Sequence, residues 1–196
     1  DLPFIKNKIF TFGCFNNFLK ISEETIEIWA KILGEFNNSK LVLKNSVSAD
    51  KNYKKYLIEK FGNKVDENRI IILNYEKKKR KHLEHYLNID LCLDTFPYNG
   101  VTTTFESLWM GVPVITLKGD RFVSRCGFSI NKNAKLDDYV VNNKNDYISK
   151  ALEFKTVEGI KKLQTFRKNS RKRLIKSPLF DVNEFSDSFI EKIKKY

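Results

Sequence analysis

The stretch Asp90 to Leu117, DLCLDTFPYNGVTTTFESLWMGVPVITL, decides the fold. Asp90 to Asp94 is a short apolar run of strand type, and Pro97, Asn99 and Gly100 after it force a turn. Thr103 to Met110 then carries apolar residues at helical spacing. Val112 to Leu117 returns at once to strand-forming residues, so the stretch reads as two parallel strands joined by a crossover helix.

The same alternation extends upstream. Strands are expected over Lys8 to Phe12, Lys40 to Leu43 and Arg69 to Leu73, with Asp1 to Ile9 leading straight into the first. Arg69 to Leu73 is so continuous in Ile that it reads as buried on both faces. Ser22 is the N-cap of a helix that carries Ile26, Trp29, Ala30 and Leu33 on one face and stops at Gly34. Ile21 and Ile26 flank that cap at staple spacing. Tyr53, Tyr56, Leu57 and Phe61 line a second helix ended by Gly62, and Lys79 to Leu87 forms a short helix before the Asp90 strand. After Gly119 the β signal fades and helices are expected over Arg121 to Ile130, Lys144 to Glu153, Thr156 to Lys172 and Asn183 to Lys195. The expected architecture is one α/β domain over residues 1–196, a doubly wound parallel sheet with a helical tail from about 143.

Composition agrees with a folded domain. The chain has 196 residues, 41% of them hydrophobic and 16 of them Phe, enough to bury a core. No apolar run reaches the length of a membrane span, and no signal pattern opens the chain. Cys14, Cys92 and Cys126 are odd in number, far apart and set in apolar segments. Neither a disulfide framework nor a zinc site is indicated, and a reducing cytoplasm is the expected setting. The net charge of +12 would attract anionic ligands, but the lysines are spread along the chain, and no nucleic-acid-binding pattern accompanies them.

In a doubly wound sheet, ligands collect outside the carboxyl ends of the strands. The loop Asp94 to Glu106 is the richest candidate, because Thr102 to Thr104 open a helix whose first N–H groups have no intrahelical partner. That arrangement suits a diphosphate, with Glu106 one turn on as an acceptor for ribose hydroxyls. A second reading needs no ligand: Thr103 and Glu106 have the spacing of a capping box. Spacing alone leaves both open.

The longer string Asp94 to Pro113, DTFPYNGVTTTFESLWMGVP, closely resembles the sugar-nucleotide loop of the O-GlcNAc transferase/Spindly family of protein O-glycosyltransferases. Further segments follow in the family's order. Thr11-Phe12-Gly13 through Leu33 is similar to its opening stretch, with Asn17 in place of the usual Gln and Lys20 in place of the phosphate-binding lysine. His82-Leu83 resembles the helix whose histidine packs on the nucleoside. Gly119 to Arg125 and Ser177 to Phe180 resemble two later motifs, so the likeness spans about residues 8 to 195.

The resemblance implies a Rossmann-like C-terminal lobe of a bilobed GT-B enzyme, inverting and needing no metal or other cofactor. It implies transfer of GlcNAc from UDP-GlcNAc to Ser or Thr of an acceptor protein. Lys20 would offset charge on the leaving diphosphate, and Asn17, Lys79, His82, Tyr98, Gly100, Thr102, Thr103 and Glu106 would complete the donor site. The family's general base belongs to an N-terminal lobe, which with tetratricopeptide repeats would be a partner of this half; the half alone should be inactive. Val101 replaces a histidine of animal members, and the DTFPY string looks more like the Spindly form of the loop, which implies GDP-fucose as an alternative donor. Arg125 is expected in a salt bridge at the domain edge and His85 on the surface. A rival of another class is a non-catalytic module for an anionic partner.

Overall fold

A computed structural model describes residues 1–44 and 51–195. Among these residues six parallel strands form one sheet: β1 (Phe10–Cys14), β2 (Ser39–Lys44), β3 (Ile70–Leu73), β4 (Leu91–Leu93), β5 (Val114–Leu117) and β6 (Val140–Val141). Their order is β3-β2-β1-β4-β5-β6, and every pairing is parallel. The expected doubly wound sheet is therefore present, with its strand order reversing between β1 and β4.

Helices α1 (Pro3–Asn7), α2 (Glu23–Glu35), α3 (Lys51–Phe61), α4 (Lys79–Glu84), α5 (Thr102–Trp109), α6 (Cys126–Asn133), α7 (Lys144–Leu152), α8 (Val157–Ile175) and α9 (Val182–Ile193) connect and flank the strands. They fall into two packing groups: α2 lies against α3 and α7, and α5 against α6 and α8. The Ser22 cap behaves as its sequence suggests, its hydroxyl accepting from Thr25 N at 3.1 Å. Trp29 and Leu33 are buried on the inner face of α2. Helix α2 runs on through Gly34 to Glu35, and Arg69 satisfies its end by donating to the carbonyls of Leu33 and Phe36 at 2.8 and 2.9 Å. Phe10 stacks on Phe36, with ring centroids 5.0 Å apart, and joins Phe12 and Phe154 in the core.

Four further expectations fail for identifiable reasons. The segment before the first strand contains α1, because Pro3 sits where its missing N–H costs nothing, and the strand begins at Phe10. Strand β3 is the sheet edge and its last three residues are only half-buried, since β2 covers it on one side alone. Two-residue β6 extends the sheet after Gly119; its pairing to Thr116 and Leu117 of β5, rather than any local pattern, makes it a strand. The helix expected over Arg121 to Ile130 is a short 3-10 turn at Phe122–Ser124 followed by α6. The Tyr53 side chain lies outside what the structure describes.

Candidate functional site

β1 and β4 are neighbours, but β1 leads back toward β2 while β4 leads on toward β5. Their following loops part and leave a crevice at the carboxyl edge. One wall is the turn after β1, Phe15 to Lys20; the other is residues 94–101 and the start of α5.

Asp94 organises both walls. Its Oδ1 accepts from Asn16 Nδ2 at 3.0 Å, Thr95 N at 2.9 Å and Gly100 N at 2.7 Å, and its Oδ2 from the Thr116 hydroxyl at 3.0 Å. The carboxyl is buried, and desolvation pushes its pKa up to about 6 against the opposing pull of these hydrogen bonds. Asn16 spans the crevice floor: its Nδ2 also donates to Thr95 Oγ1 at 2.9 Å, and its Oδ1 accepts from the Thr103 hydroxyl. Asn99 closes the turn through Nδ2 to Thr95 O at 3.0 Å. Gly100 is required here, because a Cβ would lie 2.6 Å from Asn16 Oδ1 and 2.8 Å from Thr103 Oγ1.

The capping-box reading is not what the chain adopts. Val101 is the N-cap of α5 and offers no side-chain acceptor, while Glu106 turns away to His82, its Oε2 lying 3.0 Å from Nε2. The first N–H groups of α5 are therefore left without a side-chain cap, a state suited to an anion. The three threonines do not all point outward. Thr102 is exposed and Thr103 is half-buried toward Asn16, whereas Thr104 is buried.

Lys20 ends the 3-10 turn Phe18–Lys20. Its Nζ donates to Asn99 O at 3.0 Å and sits 3.9 Å from the centre of the Tyr98 ring. Partial desolvation lowers its pKa, though Asp94 works against that. A cation is thereby held on the same turn that leads into the uncapped helix start. Tyr98 itself remains 45% exposed.

His82 and Glu106 meet across the crevice wall. The two ring nitrogens of His82 are both engaged: Nε2 by Glu106, and Nδ1 by Lys44 Nζ at 2.8 Å. The ring packs beside the Phe15–Tyr86 pair, 6.0 Å from each centroid, while those two centroids stand 4.4 Å apart.

Other sequence-derived candidates lie apart from this cluster. Asn17, on the first wall, is exposed and turns its Oδ1 to Leu19 N at 3.0 Å, capping its own 3-10 turn; its neighbour Asn16 is the one that reaches Asp94 and Thr103. Lys79 is exposed at the start of α4. Arg125 makes no salt bridge among the described residues; its guanidinium stands 5.1 Å from the Phe128 ring centre. His85 is half-buried, and desolvation followed by the Lys44 charge lowers its pKa. Asn16, Asp94, Thr116 and Lys44 are additions that sequence reasoning missed. Asp94, a carboxylate closing an apolar strand, and Asn16, an amide in the loop after another, carried a signal; Lys44 had none in so lysine-rich a chain.

No helix among the described residues is long and apolar enough to cross a membrane, and none of these residues forms a cluster of three or more His, Cys, Asp or Glu able to hold a metal ion. The chain is 37% identical over 187 residues to a probable UDP-N-acetylglucosamine–peptide N-acetylglucosaminyltransferase SPINDLY of Hordeum vulgare, covering 94% of this chain and 19% of that protein. It is 31% identical to the SEC protein of Arabidopsis thaliana, named as the same kind of transferase, over 88% of this chain and 17% of that protein. The chain thus spans about a fifth of the length of the curated relatives it matches. Among solved structures, an O-GlcNAc transferase mutant of Thermobaculum terrenum superimposes with a TM-score of 0.84 at 30% identity, covering 93% of this chain and 36% of that one. TarM superimposes with a TM-score of 0.62 at 20% identity, a likeness of fold alone. The profile of glycosyl transferase family 41 matches residues 4–189, nearly the whole chain with its crevice, and this protein belongs to that family.

Proposed function

We propose that this chain is the donor-holding half of an inverting, metal-independent protein O-glycosyltransferase that transfers GlcNAc from UDP-GlcNAc to Ser or Thr of proteins. The observation that carries the reading is the convergence at the β1/β4 crevice of Lys20, the uncapped start of α5 and the His82–Glu106 pair. The Lys20 ammonium and the helix N–H groups stabilise charge as it builds on the departing diphosphate, an electrostatic task that needs preorganised donors. Thr102 contributes a hydroxyl at the helix start. Glu106 accepts from the ribose hydroxyls, and the His82 ring packs against the base. The acceptor hydroxyl loses its proton to a base in an N-terminal lobe outside this chain, so this half alone turns over donor poorly.

A second reading changes the donor to GDP-fucose. It is supported by the Asp94–Tyr98 string DTFPY, which resembles the Spindly form of the loop, and by Val101 at the position of a histidine in animal members.

Calorimetric titration of the chain with UDP and GDP, each with and without EDTA, tests both readings. The expected result is binding of one nucleotide unchanged by EDTA, and a loss of tenfold or more in Lys20→Ala, as removal of one hydrogen bond to a charged group predicts (roughly 1.5–3 kcal/mol). Strict dependence on magnesium or manganese sinks the metal-free reading. Failure to bind either nucleotide, with Lys20-dependent binding of an acidic partner instead, leaves a non-catalytic module.

A further inference from the structure

Lys44 is 1% exposed at the end of β2, an environment that lysine seldom occupies without a partner. Burial lowers its pKa, with Glu76 and Glu106 opposing that at longer range. Its one hydrogen-bond partner among the described residues is Nδ1 of His82, at 2.8 Å. An ammonium group can only donate, so Nδ1 accepts and the ring proton resides on Nε2. That proton faces Glu106 Oε2 at 3.0 Å. The second carboxylate oxygen, Oε1, has no partner among the described residues, and the Glu106 side chain keeps 18% of its surface open.

We propose that Lys44 is the positioning residue of this pair: its donation to His82 Nδ1 fixes the Nε2–H form of the ring, which engages Glu106 Oε2 and leaves Oε1 to accept from a vicinal diol of the ligand. With both nitrogens held by the protein, His82 meets a base through its ring face and carbon edge only. Hydrogen-bond discrimination between bases therefore belongs to other groups. The diol rests on the nucleoside diphosphate reading of the crevice; the state of the His82 ring does not.

The first test uses the ligand-free wild-type chain, labelled with 15N at histidine and observed through long-range 1H–15N couplings above about pH 8. His82 and His85 are the only two histidines, so a His85→Gln sample assigns the signals. The expected pattern is Nε2–H for His82; an Nδ1–H pattern overturns the inference without any change at Lys44. The second test compares Lys44→Met, close in shape and unable to donate. His82 should lose its fixed form, and affinity for whichever of UDP or GDP the wild type binds should fall about tenfold, as loss of one ordered hydrogen bond predicts. Retention of the Nε2–H pattern in a folded Lys44→Met protein overturns the inference, as does weakened binding with that pattern intact. If the wild type binds neither nucleotide, the donor reading fails and the ring measurements still decide the role of Lys44.

Discussion

Replacing Asp94 with asparagine should make this protein's stability less dependent on pH. The buried carboxyl titrates at about 6 instead of its ordinary 3.8, with desolvation the leading cause. At 1.36 kcal/mol for each pH unit, that displacement amounts to about 3 kcal/mol. The native state holds its proton more tightly than the unfolded chain does. Asp94 therefore contributes stability that is fully present below about pH 3.8 and is lost as pH rises through about 6. An asparagine amide keeps an oxygen where Oδ1 accepts from Asn16, Thr95 and Gly100, and its NH2 can donate to the Thr116 oxygen that now faces Oδ2. The turn should survive without the buried charge. Asp90 is also raised to about 6 and is present in both proteins, so the difference between them isolates Asp94. Urea unfolding of wild type and Asp94→Asn at intervals from pH 4.5 to 7.5 measures it, and Asp94→Asn should gain on the wild type by about 2 kcal/mol across that range, the other ~1 kcal/mol being lost already below pH 4.5. Parallel curves would refute the argument, since they would mean that Asp94 titrates alike in the folded and unfolded chain.

The adjacent threonines should separate binding from folding. Thr103→Ala removes the hydroxyl that donates to Asn16 and should lower stability by about 1 kcal/mol in thermal or urea unfolding, whereas Thr102→Ala, at an exposed position, should leave stability unchanged and weaken nucleotide binding about tenfold by calorimetry. Gly100→Ala pushes a methyl group against Asn16 Oδ1 and the Thr103 and Thr104 hydroxyls. It should cost about 1–3 kcal/mol in urea unfolding, and an unchanged midpoint would show that the turn can open.

Periodicity and turn chemistry by themselves determine the frame of this molecule. The Ser22 cap, the Trp29 face of α2 and the strand-turn-helix-strand run from Asp90 to Leu117 are local signals, each set by residues within a few positions of one another. The order of the segments carried the fold class and the family resemblance for the same reason. Lys20, His82 and Glu106 stood out through that resemblance, and the structure brings His82 and Glu106 together.

What local signals could not decide depended on partners distant in sequence. Val140 and Val141 form a strand because β5 lies beside them, and β3 is half-exposed because no strand among the described residues pairs beyond it. Thr103 and Glu106 have the spacing of a capping box, yet Asn16 and His82 claim their side chains from elsewhere in the chain. Asn16 rather than Asn17 reaches the buried carboxylate of Asp94, a difference of one residue that only the folded turn settles. Lys44 is one lysine among many in the sequence. Only the folded chain buries it, and only there does His82 become its one acceptor among the described residues.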